Sequence, residues 1–268
     1  MSDSSSKKGS VTVAIAGAGG RMGQRLCVLA GETDGVTLSE AFEAPGHAAL
    51  GQSADATGDV IVTDGFTGKA RVLIDFTTPE ATRAHVAVCG RLGVAAVIGT
   101  TGLSDADHAA IDATAENVAI IQAPNMALGV NLLFTLAARA AKQLGEDYDI
   151  EIVETHHRFK ADAPSGTALG IAEAICDATG RDIKTDLKHG RAGDDPRQPG
   201  QIGMHAVRIG DCVGEHTAYF AGLGERLELK HVATNRDTFA RGALRAALWL
   251  ADRGPGRYTM ADVLGLNQ

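Results

Sequence analysis

The chain lacks any paired cysteine motif. Cys27, Cys89, Cys176 and Cys212 lie far apart and none forms a C-x-x-C pair. Neither a zinc ribbon nor a disulfide framework is therefore expected, and a reducing cytoplasm is the simplest setting. The chain also lacks an excess of positive charge. With 25 Lys and Arg against 33 Asp and Glu, the net charge is -8. That removes any general attraction to nucleic acid or anionic membrane, so an anionic ligand must be held by a local arrangement. No apolar stretch could span a bilayer without charges or breakers. The first ten residues, "MSDSSSKKGS", are polar, lack the apolar segment of a signal peptide, and are expected to form a disordered tail. No internal repeat or low-complexity region follows.

What is present is a sizeable core. The 268 residues are 44% hydrophobic, enough for one large or two modest domains. From residue 11, short apolar runs alternate with alanine-rich helical segments, the rhythm of βαβ units. Strands are expected at 11–16, 36–42, 71–76, 94–99 and 118–123, with helices near 20–31, 79–91 and 104–115. The central runs are apolar without alternation, as for parallel strands buried on both faces. The fold class expected is α/β: an N-terminal doubly wound parallel sheet over 11–126, its ligand crevice at the carboxyl ends of the strands. Over 127–235 the style changes. A long helix (127–145) leads to a half-buried alternating strand at 148–155, and a helix at 165–179 is followed by a Gly, Asp and Pro loop (189–200). Three more strands, "IGMHAVRI", "EHTAYFA" and "ERLELKHVA", are joined by short turns. This second domain should therefore be α+β with an open, mostly antiparallel or mixed sheet. The apolar helix "RDTFARGALRAALWLA" is expected to bring 236–268 back to the first domain.

"GAGGRMG" follows the first strand and opens the first helix. Glycines at 17, 20 and 23 allow a tight turn, approach of backbone N–H groups to a pyrophosphate, and close helix packing. Glu43 stands twenty residues past Gly23, where a ribose-binding carboxylate belongs, so the pair predicts a dinucleotide site. "IDFTTPE" (74–80), which contains Phe76, and "IGTTG" (98–102) put small polar residues after buried strands. Each alone is ordinary turn and cap chemistry. Their shared place at strand ends beside the glycine loop makes them candidate nicotinamide and ribose contacts.

"THHRFKADAPSGTA" (155–168) is the densest chemical feature. Adjacent His156 and His157 in an extended strand point to opposite faces, which argues against a shared metal ion. The following "DAPSGTA" starts a helix, with Pro164 near the first turn and, around Ser165, Gly166 and Thr167, backbone N–H groups that no carbonyl of the helix itself can accept. Cations facing a helix N-terminus make a trap for a small dianion. Charge-assisted hydrogen bonds of roughly 1.5 to 3 kcal/mol each suffice to hold one against the global charge.

"VAIAGAGGRMG", "IDFTTPE", "VIGTTG", "APNMALGVN", "ETHHRFKADAPSGTA" and "GDCVGEHTAYFAGLGERLEL", in this order, resemble the 4-hydroxy-tetrahydrodipicolinate (dihydrodipicolinate) reductase family over nearly the whole chain after the tail. The resemblance implies a Rossmann domain completed by the final helix, a substrate site in the interdomain cleft, and a homotetramer built through the open sheet. It implies reduction of a cyclic hydroxy-dicarboxylate with loss of water, using NADH or NADPH, in the diaminopimelate route to lysine. On the same basis His156 is the proton donor and Lys160 its cationic partner, with His157, Ser165, Gly166 and Thr167 holding substrate. Gly17, Ala18, Gly19, Gly20, Arg21, Met22, Glu43, Gly99, Thr100, Thr101, Ala123, Pro124, Asn125 and Met126 line the cofactor.

Three departures bear on detail. Ala44 replaces the Arg that many relatives carry after the ribose carboxylate, and no Lys or Arg occurs before Lys69. Arg21 is then the nearest candidate partner for a 2′-phosphate, which predicts a preference for NADH without excluding NADPH. Met126 stands where some members have an aromatic, and Phe159 where a histidine is found. Competing readings are a dinucleotide sensor without turnover, and another amino-acid-pathway dehydrogenase acting on aspartate or homoserine.

Overall fold

A computed structural model describes residues 9 to 267; apart from Gly9 and Ser10, the tail expected over 1–10 lies outside them. In chain order the first unit contains β1 (Val11–Ala16), α1 (Arg21–Glu32), β2 (Val36–Phe42), β3 (Val62–Thr63), β4 (Val72–Asp75) and α2 (Pro79–Leu92). β5 (Ala95–Ile98), α3 (Asp105–Ala115) and β6 (Ala119–Gln122) complete its first pass. The second unit contains α4 (Leu128–Leu144), β7 (Asp149–His156), α5 (Gly166–Thr179), α6 (Ile183–Asp186), β8 (Leu187–His189), β9 (Ile202–Arg208), β10 (Gly214–Ala221) and β11 (Arg226–Ala233). The chain ends with α7 (Asp237–Leu250), β12 (Gly256–Tyr258) and α8 (Met260–Leu264), and from Phe239 onward it belongs again to the first unit.

The first unit is a seven-stranded, wholly parallel sheet in the order β12-β6-β5-β4-β1-β2-β3. Its central strands are apolar at successive positions because both faces are covered, and Val13, Ile15, Val72, Ile74, Val97 and Ile98 have no exposed surface. Local chemistry sets the helix ends. Thr78 caps α2 by accepting the Ala81 N–H, Pro79 supplies its first residue, and Gly93 closes it in the left-handed region at φ 69°. Gly242 of α7 lies so near the Met126 carbonyl that a Cβ would sit 1.8 Å from its oxygen.

The second unit is a five-stranded sheet in the order β11-β10-β7-β9-β8. α4 and α5 cover one face, where Ile150, Ile152, Ile171, Ile175, Met204 and Phe220 form a core. This sheet is evenly mixed. β10 pairs antiparallel with β7 and β11, whereas β9 pairs parallel with β7 and β8. The short link after β9 does not close a hairpin. It crosses the end of β7, where the Ile209 N–H donates to the His156 carbonyl (2.9 Å) and the Arg158 N–H to the Gly210 carbonyl (3.1 Å). β7 is thereby central, and its last residues sit under a closed backbone strap.

Candidate active site

In the first unit the glycine loop follows β1. Gly17 has φ 66°, and the Gly20 N–H returns to its carbonyl at 2.9 Å. A Cβ on Gly23 would lie 2.0 Å from the same oxygen, so helix and loop pack at a distance only glycine permits. Ala18 is buried with its N–H on the Phe42 carbonyl. Gly19 donates its N–H to Glu43 Oε2 at 3.0 Å, while Ala44 donates to Oε1 at 2.9 Å. The amides of Arg21 and Met22, opening α1, have no acceptor within the helix and carry its positive dipole end.

Beside Glu43 is a cavity of about 400 Å³, lined among others by Gly17, Phe42, Asp64, Phe66, Thr77 and His85. The Phe42 and Phe66 rings stack at 5.5 Å, and His85 stands edge-on to Phe42 at 5.1 Å. The loop bearing Phe66 is held by buried Glu40, which accepts from the Thr67 N–H (2.8 Å), the Thr67 hydroxyl (2.6 Å), the Lys69 N–H (2.6 Å) and the Ala70 N–H (3.1 Å). An aromatic-walled cavity beside a carboxylate, a close-approach glycine loop and a helix N-terminus fit an adenosine diphosphate moiety.

The remaining residues expected to line the cofactor gather at neighbouring strand ends. The Phe76 ring covers Gly99, where a Cβ would meet it at 2.2 Å. Thr100 is buried, and its hydroxyl is used within the protein: it accepts from the Thr82 hydroxyl (2.8 Å) and the Thr77 N–H (3.0 Å) and lies 3.3 Å from Asp75 Oδ1. Thr101 is exposed beside it. Ala123 is tied to β5 through its N–H on the Ile98 carbonyl, Pro124 is exposed, Asn125 accepts the Ala127 N–H, and Met126 is buried.

In the second unit the alternation of β7 turns its last residue, His156, to the helix-covered face with Glu154, and His157 lies just past the end of the strand. Glu154 has no exposed surface. It accepts two hydrogen bonds from Arg208 (2.8 and 2.9 Å), one from the Ser165 N–H (3.1 Å) and one from His156 Nδ1 (2.5 Å). Burial works against its charge, yet hydrogen bonds from Arg208 and His156 prevail and hold the carboxyl below its ordinary range. An ionised Glu154 puts the His156 proton on Nδ1 and leaves Nε2 as the working nitrogen. Burial lowers the His156 pKa, against the pull of Glu154. The ring is therefore neutral at pH 7 without a ligand.

Arg208 does more than neutralise Glu154. Its guanidinium also donates to the carbonyls of Lys160 (3.3 Å) and Asp162 (2.6 Å), fixing the loop after the histidines to β9. The Lys160 ammonium pairs with Asp162 at 2.8 Å. Ser165 caps α5, directly after Pro164, its hydroxyl accepting the Ala168 N–H at 3.1 Å. Gly166 is exposed and Thr167 half-buried in the first turn. His157 is half-buried with Nδ1 unpartnered, and Phe159 beside it is 83% exposed.

The structure thus gathers His156 and Ser165 around Glu154, and Lys160 through Arg208. Glu154, Arg208 and His216, whose Nε2 lies 2.9 Å from Ser165 Oγ, adjoin these residues and were not singled out from the motifs. A signal existed: each is a polar residue in the apolar phase of its strand, after Ile150 and Ile152, after Ile202 and Met204, and before Ala218 and Phe220. Among the described residues no group of three or more His, Cys, Asp or Glu side chains is placed to hold a metal.

Comparison with known proteins gives one consistent result. The family model described as dihydrodipicolinate reductase, N-terminus, matches residues 11–126, and the corresponding C-terminus model matches 129–264. A 4-hydroxy-tetrahydrodipicolinate reductase of Thiobacillus denitrificans is 51% identical over 265 residues, covering 96% of this chain and 99% of the relative. Its counterpart from Cupriavidus pinatubonensis is also 51% identical, over 96% and 100%. Among solved structures, a dipicolinate-bound dihydrodipicolinate reductase from Paenisporosarcina sp. TG-14 aligns with TM-score 0.77 at 27% identity, over 94% of this chain and 98% of that one.

Proposed function

The chain belongs to the dihydrodipicolinate reductase family in both halves of its length, and from that premise we infer which of its residues bind, orient and protonate the substrate. It is an NAD(P)H-dependent 4-hydroxy-tetrahydrodipicolinate reductase of lysine biosynthesis, forming tetrahydrodipicolinate with loss of water. When bound, the dihydronicotinamide supplies a hydride to a ring carbon of the conjugated imine. The protein must then hold two carboxylates and deliver one proton to the resulting enamine.

The single observation that carries the assignment is the Glu154–His156 contact beside the cap of α5. Glu154 fixes the Nδ1 proton, so Nε2 is the atom that carries a proton to substrate. Lys160 supplies a fixed cation where negative charge develops, and His157 with the Ser165, Gly166 and Thr167 turn takes a carboxylate. A neutral His156 becomes a donor only after gaining a proton, and the negative charge of the substrate favours that gain. Substrate and proton therefore enter together. The expected signature is a kcat/KM that rises as pH falls toward and below the ordinary histidine value of 6.5. His156→Gln should lower kcat by about 10² to 10⁴ and remove that limb; unchanged turnover would take His156 out of the role.

Preference for NADH is part of this reading. Glu43 and Asp64 line the cavity, Ala44 offers no charge, and no Lys or Arg is among its lining residues. A 2′-phosphate would meet like charge there, and Ala44→Arg should shift the kcat/KM ratio toward NADPH. The reading also includes a cytoplasmic setting, supported by four free cysteines, and a homotetramer. The latter is supported by the sheet face opposite α4 and α5, where Val207 and Val232 are exposed.

A further inference from the structure

His216 lies on β10 and is 4% exposed, buried beside groups with assigned work yet used by none of the steps above. Its register partner on β7 is Glu154, and its ring meets that of His156 edge-to-face at 5.1 Å. Nε2 is 2.9 Å from Ser165 Oγ, while Nδ1 is buried without a partner. A neutral imidazole has one N–H, and a buried N–H without an acceptor is the costlier defect. The proton therefore belongs on Nε2, where an acceptor waits.

Ser165 Oγ then accepts twice, from His216 Nε2–H and from the Ala168 N–H (3.1 Å), while the Ser165 backbone N–H donates to Glu154 (3.1 Å). With both lone pairs engaged, the hydroxyl proton is left over. We propose that His216 is a positioning residue for substrate binding: by donating to Ser165 Oγ it fixes the turn at α5 and turns the serine hydroxyl proton toward a substrate carboxylate. This rests on the assignment of that turn to carboxylate binding. It makes Ser165 a donor to the substrate as well as a helix cap, and its hydroxyl direction is set from a different strand. Burial, with the charge of His156, pulls the His216 pKa down to about 3, so the donor stays neutral over the working range.

The test is a double-mutant cycle on the full-length protein, with pyridine-2,6-dicarboxylate binding read by calorimetry, NADH binding as the folding control, and KM and kcat read separately. His216→Phe keeps ring volume and removes the donor. It should weaken dicarboxylate binding roughly tenfold, the effect of one buried hydrogen bond, and raise KM more than it lowers kcat. His216→Gln, whose amide reaches the place of Nε2, should recover most of the affinity. Adding Ser165→Ala to His216→Phe should cost little more than either alone. Dicarboxylate affinity in His216→Phe within twofold of the parent would overturn the proposal, as would strictly additive losses. If the phenylalanine variant does not fold, the comparison passes to His216→Gln and Ser165→Ala, and parental affinity in Ser165→Ala overturns it. A parent protein that binds NADH but no dicarboxylate would overturn the assignment of the turn itself, and the proposal with it.

Discussion

At the scale of single residues, Glu154 organises the site. Its carboxylate is fully buried and shared by a guanidinium, a backbone amide and an imidazole. Replacing it with Gln leaves the shape and removes the charge that raises the affinity of His156 for a proton. Glu154→Gln should reduce kcat at least about tenfold and move the acidic limb of kcat/KM to still lower pH; a profile unmoved on the pH axis would confine Glu154 to a structural role. His216 makes a separate prediction about stability. Its pKa is near 6.5 when unfolded and about 3 when folded, so between those values the unfolded chain binds the extra proton. Stability is full above 6.5 and is lost as pH falls toward 3, with a slope of up to about 1.4 kcal/mol per pH unit. Urea titrations between pH 7 and 4.5 should show a shallower loss in His216→Gln than in the parent. Equal slopes would mean the imidazole is not held neutral by the fold.

At the scale of elements, most of the fold was legible and the exceptions share a cause. β1, β2, α2, β7 and α5 are bounded by strong local signals: apolar runs, alternation, Thr78-Pro79 and Ser165 caps, and closing glycines. β3, β8 and β12 span two or three residues and exist only through pairing with distant strands. No local pattern marks such pieces. The parallel pairing of β9 with β7 escaped for a related reason, since a five-residue link can close a hairpin or cross one strand, and only the long-range partner decides. The site shows the same division. The glycine loop and the histidine block, with Glu154 at its head, are contiguous words in the sequence, whereas Arg208 and His216 come from two other strands that the topology brings to either side of β7. Packing yields a check on this unit: Phe220 is fully buried in its core, and Phe220→Ala should cost about 3 to 5 kcal/mol in chemical denaturation. A loss under 1 kcal/mol would contradict the packing described for β10.

At the scale of the whole molecule, a chain of net charge -8 turns over a dianion with an anionic cofactor. In the proposed reading the physical resolution is local: glycine-loop and helix-start amides would take the nucleotide, and a helix cap with two histidines and a lysine the substrate. The charges that face solvent elsewhere need take no part. The central claim, reduction of the cyclic dicarboxylate at this site, is tested most directly by initial-rate oxidation of NADH and NADPH in parallel with enzymatically generated 4-hydroxy-tetrahydrodipicolinate, with and without pyridine-2,6-dicarboxylate. The account predicts rapid oxidation, faster with NADH, and competitive suppression by the planar dicarboxylate. No oxidation of either nucleotide, with nucleotide binding intact by calorimetry, would contradict it.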